Sequence, residues 1–101
     1  MRLFYILDLS QVKSMFSEKV YIDVVRVTQQ ALQEVHSRKV IDQVTVTLGY
    51  MQMSSRKIAR YDIELRAAVE GLLELARAEH RQELTDALEG LGRHMDQELT
   101  A

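Results

Sequence analysis

Apolar residues recur every three or four positions along most of this chain. The first set runs from Val12 to Val35, the second from Ile58 to Leu75 and the third from Leu84 to Met95. This spacing places each set on one face of an α-helix, and such a face packs against another surface. The pattern therefore predicts a mainly α protein, an elongated helical hairpin or bundle of three to four helices, with residues 1–101 as a single helical domain.

The first apolar set predicts one helix from about residue 10 to residue 37, with Ser10 or Asp8 as its N-cap. At 1.5 Å per residue this helix would be roughly 42 Å long, whereas a compact domain of about 100 residues has a radius of gyration of about 13 Å. So long a helix carries more apolar surface than one chain covers. The pattern therefore predicts self-association, most simply as a two-fold dimer. The polar segment 36–39 predicts the turn that follows.

The segment 40–53 is compatible with two structures. Its valines and leucine recur at helical spacing, but alternate residues from Val44 to Tyr50 also have the period of a strand. Its β-branched residues favour a strand, and its glycine weakens a helix. We take the helix as the prediction. The alternative is an α+β fold, in which a short strand at about 43–50 pairs with one at about 2–9.

The second half of the chain is rich in Leu, Ala, Glu and Arg, which are strong helix formers. Ser54 and Ser55 are candidate N-caps for its first helix. Residues 79–83 interrupt the apolar spacing, so the chain either makes a tight hairpin there or continues as one helix. Gly90 and Gly92 are candidate helix C-caps. Charge pairs four residues apart mark the predicted solvent side, namely Asp62–Arg66, Arg66–Glu70 and Glu89–Arg93.

Composition excludes several classes of protein. A formal net charge of −2 gives no overall attraction to nucleic acid or to anionic membranes. The chain has no cysteine, so it has neither disulfides nor thiolate chemistry. The opening segment lacks the flanks of a signal peptide, and no stretch approaches the roughly 20 apolar residues of a membrane-spanning helix. These features favour a cytoplasmic protein.

Candidate chemistry is sparse. His80 has Glu79 beside it and Glu83 three residues on, which could place two metal ligands on one helical face. The repeated Glu-x-x-His pattern of carboxylate-bridged bundles is absent, and so is HExxH. A solvated polar face is the simpler interpretation. No serine has the setting of a nucleophile, and the glycines form no phosphate-binding loop. We therefore predict no metal, no cofactor and no catalytic residues.

Residues 40–61 loosely resemble a helix-turn-helix, with an amphipathic stretch, a Leu-Gly pair and then a serine-capped basic helix. Under this interpretation the start of the second helix would contact phosphates and base edges through Ser54, Ser55, Arg56, Lys57 and Arg60. The spacing from Gly49 to Ile58 is longer than the short turn of that motif. A dimeric DNA-binding regulator is therefore the alternative prediction.

The first prediction is a non-enzymatic protein–protein interaction module acting through amphipathic helix packing. Such a module could be an adaptor, an assembly factor, a secretion-type chaperone or a regulatory subunit, and its partner would be a second copy of itself, another protein, or both. The predicted interface residues belong to the second and third apolar sets. They are Leu65, Leu72, Leu75, Leu84, Leu88, Leu91 and Met95.

Overall fold

The computed structural model describes residues 14–53 and 59–100, without the side chains of residues 51–53. This part of the chain forms four helices and no strand. They are α1 (Glu18–Glu34), α2 (Lys39–Met53), α3 (Ala59–Ala78) and α4 (Gln82–Leu99). The predicted mainly α bundle is confirmed. The alternative strand at 43–50 is wrong because these residues lie inside α2, and residues 2–9 lie outside the described residues.

Contacts at both ends of α2 show that α2 and α3 run antiparallel. The ring of Tyr50, near the end of α2, stacks on that of Tyr61, near the start of α3, with centroids 6.0 Å apart. At the opposite end Gly71 lies against Val40, where an added Cβ would be 3.5 Å from a Val40 methyl group. The two helices therefore lie side by side along their length.

The other helix pairs are antiparallel as well. Arg77 near the end of α3 pairs with Glu89 of α4, and Arg66 near the start of α3 pairs with Asp96 near the end of α4. Helix α4 also packs against α1, where the ring of His94 contacts Asp23. Each helix thus packs against its neighbours in sequence, and the α1–α4 contact closes the ring of an up-down-up-down bundle.

The core lies along the axis of the bundle and takes apolar side chains from all four helices and from Phe16. The largest fully buried side chains are Val20, Val24, Val27, Ile41, Val44, Leu65, Val69, Leu72, Leu84, Leu88 and Met95. The bundle is elongated, with extents of 45 × 25 × 23 Å. Burial of Ile41 and Val44 explains why 39–53 is helical despite its β-branched residues, because tertiary packing outweighs intrinsic propensity.

Helix α1 is shorter than predicted, with 17 residues in place of a helix over about 10–37. Ser17 has an extended backbone (ψ 163°), and its N–H and hydroxyl both donate to Glu98 of α4. Because Ser17 bonds to α4, the helix begins only after it. Val35 is again extended, so the predicted turn after it is confirmed. The prediction of self-association rested on one long helix over about 10–37, and α1 is too short to support that argument. Candidate caps Asp8 and Ser10 lie outside the described residues.

The interruption at 79–83 is a hairpin between α3 and α4. His80 has a left-handed backbone (φ 58°), the Arg81 N–H donates to the Ala76 carbonyl, and the His80 N–H donates to the Arg77 carbonyl. This is a Schellman C-cap with histidine at the position where glycine is usual. The predicted C-caps at Gly90 and Gly92 are wrong, since both glycines lie inside α4.

Candidate interaction surfaces

The predicted interface residues lie inside the bundle. Six of the seven, namely Leu65, Leu72, Leu84, Leu88, Leu91 and Met95, are at most 5% exposed, and Leu75 packs half-buried against them. Their apolar surface is covered by the other helices of the same chain. The six buried side chains are therefore covered within the folded chain, and their role in an interface with a partner stays a prediction.

The candidate DNA-contacting residues are only partly described. Ser54, Ser55, Arg56 and Lys57 lie outside the described residues. Arg60 is exposed on α3 and lies 3.8 Å from Glu64 one turn later. The two helices of a helix-turn-helix cross at about 90–120°, whereas α2 and α3 lie antiparallel and side by side. This geometry does not favour the helix-turn-helix interpretation, and DNA binding stays a prediction.

The candidate cluster around His80 does not assemble. His80 is exposed in the hairpin, and the Glu79 carboxylate instead accepts the backbone N–H of His36 and contacts its ring. These hydrogen bonds hold the pKa of Glu79 below its ordinary value. Throughout residues 14–53 and 59–100, no group of three or more His, Cys, Asp or Glu side chains is arranged to hold a metal ion.

Exposed apolar side chains are distributed unevenly over the described surface. The large ones on helices belong to α1, α2 and α3, and they are Ile22, Val25, Leu32, Val46, Tyr50 and Ile63. On α4, in contrast, the exposed side chains are all polar, namely Gln82, Glu83, Asp86, Arg93, Asp96 and Gln97. Among the described residues, the exposed positions of α4 are therefore all polar, whereas α1, α2 and α3 each expose at least one large apolar side chain.

A shallow groove of about 550 Å³ runs between α2 and α3. On α2 the apolar side of the groove is formed by Val46, which is 52% exposed, and by Tyr50, which is 56% exposed. On α3 the groove is lined by the small side chains of Ala67 and Ala68. The stack with Tyr61 fixes the Tyr50 ring at one end. A second groove, between α3 and α4, shares Ala67 with the first. The apolar surface therefore continues across α3.

Helix α2 is also unusually free of charge for a surface helix. The sequence has no charged residue between Asp42 and Arg56. The hydroxyl groups of Thr45 and Thr47 donate to backbone carbonyls one turn earlier, so they add little polar surface of their own. The part of α2 after Asp42 therefore combines an absence of charge with the exposed apolar side chains of Val46 and Tyr50.

A buried carboxylate connects the chain before α1 to α3. Asp62 is fully buried, and its two oxygens accept the Ser14 hydroxyl at 2.5 Å and the Met15 N–H at 2.6 Å. The Ser14 hydroxyl also bonds to that of Tyr21, 2.6 Å away. Burial raises the pKa of Asp62, although the bonds from Ser14 and Met15 oppose the rise. The predicted Asp62–Arg66 pair is wrong, because Asp62 points into the bundle.

A second polar cluster holds the same end of the bundle. The Glu98 carboxylate accepts the Ser17 N–H at 2.6 Å, and this bond is the main reason that the pKa of Glu98 lies below its ordinary value. His94 contacts both Glu98 and Asp23, at 3.5 Å and 3.2 Å. Neither this cluster nor Asp62 lines either of the two grooves. These groups hold the start of α1 in place against α3 and α4.

Of the two further predicted ion pairs, one is confirmed and one is wrong. The predicted Arg66–Glu70 pair is confirmed at 3.2 Å, but Arg66 also bonds to Asp96 of α4 at 2.7 Å. Glu89 pairs with Arg77 of α3, and the predicted Glu89–Arg93 pair is wrong. Both differences have one cause, since these side chains reach across the α3–α4 interface to a neighbouring helix.

Comparison of the chain with protein-family models, with curated proteins and with solved structures finds no match. Among the helices of the described residues, none is long and apolar enough to cross a membrane.

Proposed function

We propose that this protein is a non-enzymatic protein–protein interaction module that works as a homodimer. It would act as an adaptor, an assembly factor, a secretion-type chaperone or a regulatory subunit. Its binding site is the groove between α2 and α3, and the occupant is an amphipathic helix of another protein. The supporting observation is the exposed apolar lining of this groove, where Val46 is 52% and Tyr50 56% exposed.

The shape of the groove suits a helix. Its apolar side chains follow α2 at a spacing of one helical turn, from Val46 to Tyr50, and the small side chains of Ala67 and Ala68 allow close approach. A helix lying along this groove would insert apolar residues from one or two successive turns, which is a common way of binding amphipathic helices.

The polar lining suits the same occupant. The charged groups at the groove are few, with Lys39 and Asp42 at the start of α2 and Glu64 beside Arg60 on α3. They leave the central part uncharged. We therefore expect apolar contacts to provide most of the affinity, and charges at the rim to affect its orientation and rate of binding.

Site-specific photo-crosslinking in the source cell tests this proposal. Tyr50 is replaced by the photoreactive benzoylphenylalanine, which keeps an aromatic ring in the groove, and Gln97 on the polar face of α4 is replaced in a matched control. We expect one heterologous protein to be cross-linked from position 50 and not from position 97. Mass spectrometry of the adduct should map the cross-link to an amphipathic helical segment of that protein.

A second variant separates specific from incidental contact. Ala67→Lys places a charge in the middle of the groove without touching the buried core, and it should abolish the adduct from position 50 while leaving the helical circular dichroism unchanged. Equal adducts from positions 50 and 97, adducts only between two copies of the chain, or adducts that persist in Ala67→Lys would each overturn the proposal.

A further inference from the structure

The groove between α3 and α4 is a second place on the bundle where apolar side chains are exposed. It has a volume of about 420 Å³. Ile63 of α3 is 51% exposed on one side of it, and Leu99 of α4 packs half-buried on the other. We call this surface the α3–α4 groove, and its lining residues are Ile63, Arg66, Ala67, Glu70, Asp96 and Leu99.

The chain before α1 meets the bundle next to this groove. Both oxygens of the Asp62 carboxylate hold it there, one accepting the Ser14 hydroxyl and the other the Met15 N–H. Asp62 is the residue immediately before Ile63 on α3. The residues that precede Ser14 therefore leave from the end of the bundle at which the groove begins.

A second attachment places the same stretch of chain against α4. The Ser17 N–H and hydroxyl both donate to Glu98, the residue immediately before Leu99. Phe16, between the two attachments, is buried in the core. Residues 14–17 therefore cross the end of the bundle between the two helices that form the α3–α4 groove.

The segment that precedes these attachments is strongly apolar. Residues 3–9 have the sequence LFYILDL, in which Asp8 is the only charged residue, and they lie outside the described residues. An extended chain from residue 9 to residue 14 spans up to roughly 17 Å. Helix α3 rises by about 10 Å from Ile63 to Glu70. The segment can therefore reach the whole length of the groove.

The charges of the groove and of the segment are opposite in sign. Arg66 bonds to both Glu70 and Asp96, so this group of three has a net charge of −1. Residues 1–13 carry two basic residues and one acidic residue, which gives them a net charge of +1. Electrostatic attraction therefore adds to the apolar contacts that the segment would make in the groove.

We infer that residues 3–9 of the same chain occupy the α3–α4 groove. Attachment at Ser14 keeps the segment beside the groove at an effective concentration on the order of millimolar, so modest apolar contacts suffice to hold it. This inference goes beyond the proposed function, since it concerns another groove and another occupant. The stacked rings of Tyr50 and Tyr61 stand at the corresponding end of the α2–α3 groove, which stays open to a partner.

Photo-crosslinking of the purified full-length chain tests the occupant. Benzoylphenylalanine replaces Phe4, Ile6 or Leu7 in three separate variants, so that at least one probe enters the groove. We expect an adduct within one chain, mapped by mass spectrometry to residues 63–70 or 96–99, with a yield that is independent of protein concentration. Adducts only between two copies, or only with residues of α1 or α2, would overturn the inference.

A charge placed in the groove provides the control for this experiment. Ile63→Lys should reduce the adduct at least severalfold, because the apolar segment would have to cover a charged group. Ile22→Lys should leave it unchanged, because Ile22 is comparably exposed, at 63%, but lies on α1. Equal adducts in the two variants would overturn the inference. Neither readout involves position 50, so this inference and the proposed function can fail separately.

Urea denaturation tests the same contact without a probe. One variant removes the apolar side chains in any register, with serine in place of Leu3, Phe4, Ile6 and Leu7. This variant and Ile63→Ser should each lower the urea midpoint, and combining them should lower it no further than the larger single effect, because both remove one interaction. Ile22→Ser is the control and should add its full effect. Additive effects with Ile63→Ser would overturn the inference.

Discussion

Asp62 is a carboxylate among apolar side chains, at the point where the chain before α1 meets α3. It lies at spacings of three, seven and ten residues from Leu65, Val69 and Leu72, all of which are buried. This register is visible in the sequence and could have indicated that Asp62 faces inward. Its partners could not be predicted in the same way, because Ser14 and Met15 lie 48 and 47 residues away in the chain.

The raised pKa of Asp62 gives stability a measurable dependence on pH. A carboxyl whose pKa is higher in the folded than in the unfolded state stabilises the fold at low pH, and this stabilisation is lost as pH rises through the folded-state pKa. In the Asp62→Asn variant, the side chain at position 62 cannot ionise. We therefore expect the free energy of unfolding of this variant, relative to that of the wild type, to increase between about pH 4 and pH 7. Urea denaturation across this range measures the difference.

Glu74→Gln is the control for this experiment, because it removes one negative charge from the exposed surface of the same helix. The absolute stability of Asp62→Asn also reflects the altered bonds to Ser14 and Met15, so the test is the change with pH. A pH dependence that matches that of Glu74→Gln would contradict the assignment of a buried, destabilised carboxylate.

At the scale of the helices, the sequence predicts the existence of the elements better than their ends. The leucine- and alanine-rich α3 and α4 follow from propensity and spacing, and the helical state of 39–53 follows only once burial of Ile41, Val44 and Leu48 is known. The start of α1 could not be predicted because it depends on a bond from Ser17 to Glu98, 81 residues away. The end of α3 has no glycine to signal it, because His80 adopts the left-handed backbone.

The two glycines of α4 allow a matched test of this helix. Alanine within a helix is more favourable than glycine by roughly 0.5–1 kcal/mol. At Gly90 the nearest atom to an added Cβ is an arginine nitrogen at 3.9 Å. Gly90→Ala should therefore raise the free energy of unfolding by roughly 0.5–1 kcal/mol. At Gly92 the Cβ would lie 3.1 Å from Arg66 Nη2, which also bonds to Asp96, so Gly92→Ala should gain less or lose stability.

Thermal unfolding of the two variants and the wild type under identical conditions compares these effects. Neither glycine lines the α2–α3 groove, so the substitutions leave the proposed binding site unchanged. An equal gain for both substitutions would show that the Arg66 side chain moves freely away from Gly92. That outcome would contradict a fixed contact between Arg66 and Asp96.

At the scale of the whole molecule, hydrophobic spacing predicts which residues are buried but not which surface covers them. The leucines from Leu65 to Leu91 satisfy the same pattern whether a partner or the same chain lies against them. The four helices cover them within one chain because the chain turns at 36–38 and at 79–81. The exposed face of α1 was missed because Ile22, Val25 and Leu32 lie beside a stronger internal set, although their own spacing is equally regular.

The topology and composition together predict rapid folding. Every helix packs against its neighbour in sequence, and bundles dominated by such local contacts fold in microseconds to milliseconds. The chain has no proline, so it lacks the usual source of phases lasting about 10–100 s. We expect stopped-flow refolding from urea to finish without such a phase. Association would add a step whose rate rises with protein concentration, and a slow phase independent of concentration would contradict the prediction.

The bond between Ser17 and Glu98 brings the beginning of α1 and the end of α4 together at one end of the bundle. The four helices therefore follow one another around a closed ring. The end of α4 lies close to the beginning of α1, although the chain does not join these two points directly. A short linker could join these two points, and the chain could be opened instead at the hairpin at 79–81. Such a circular permutant would keep every pair of neighbouring helices.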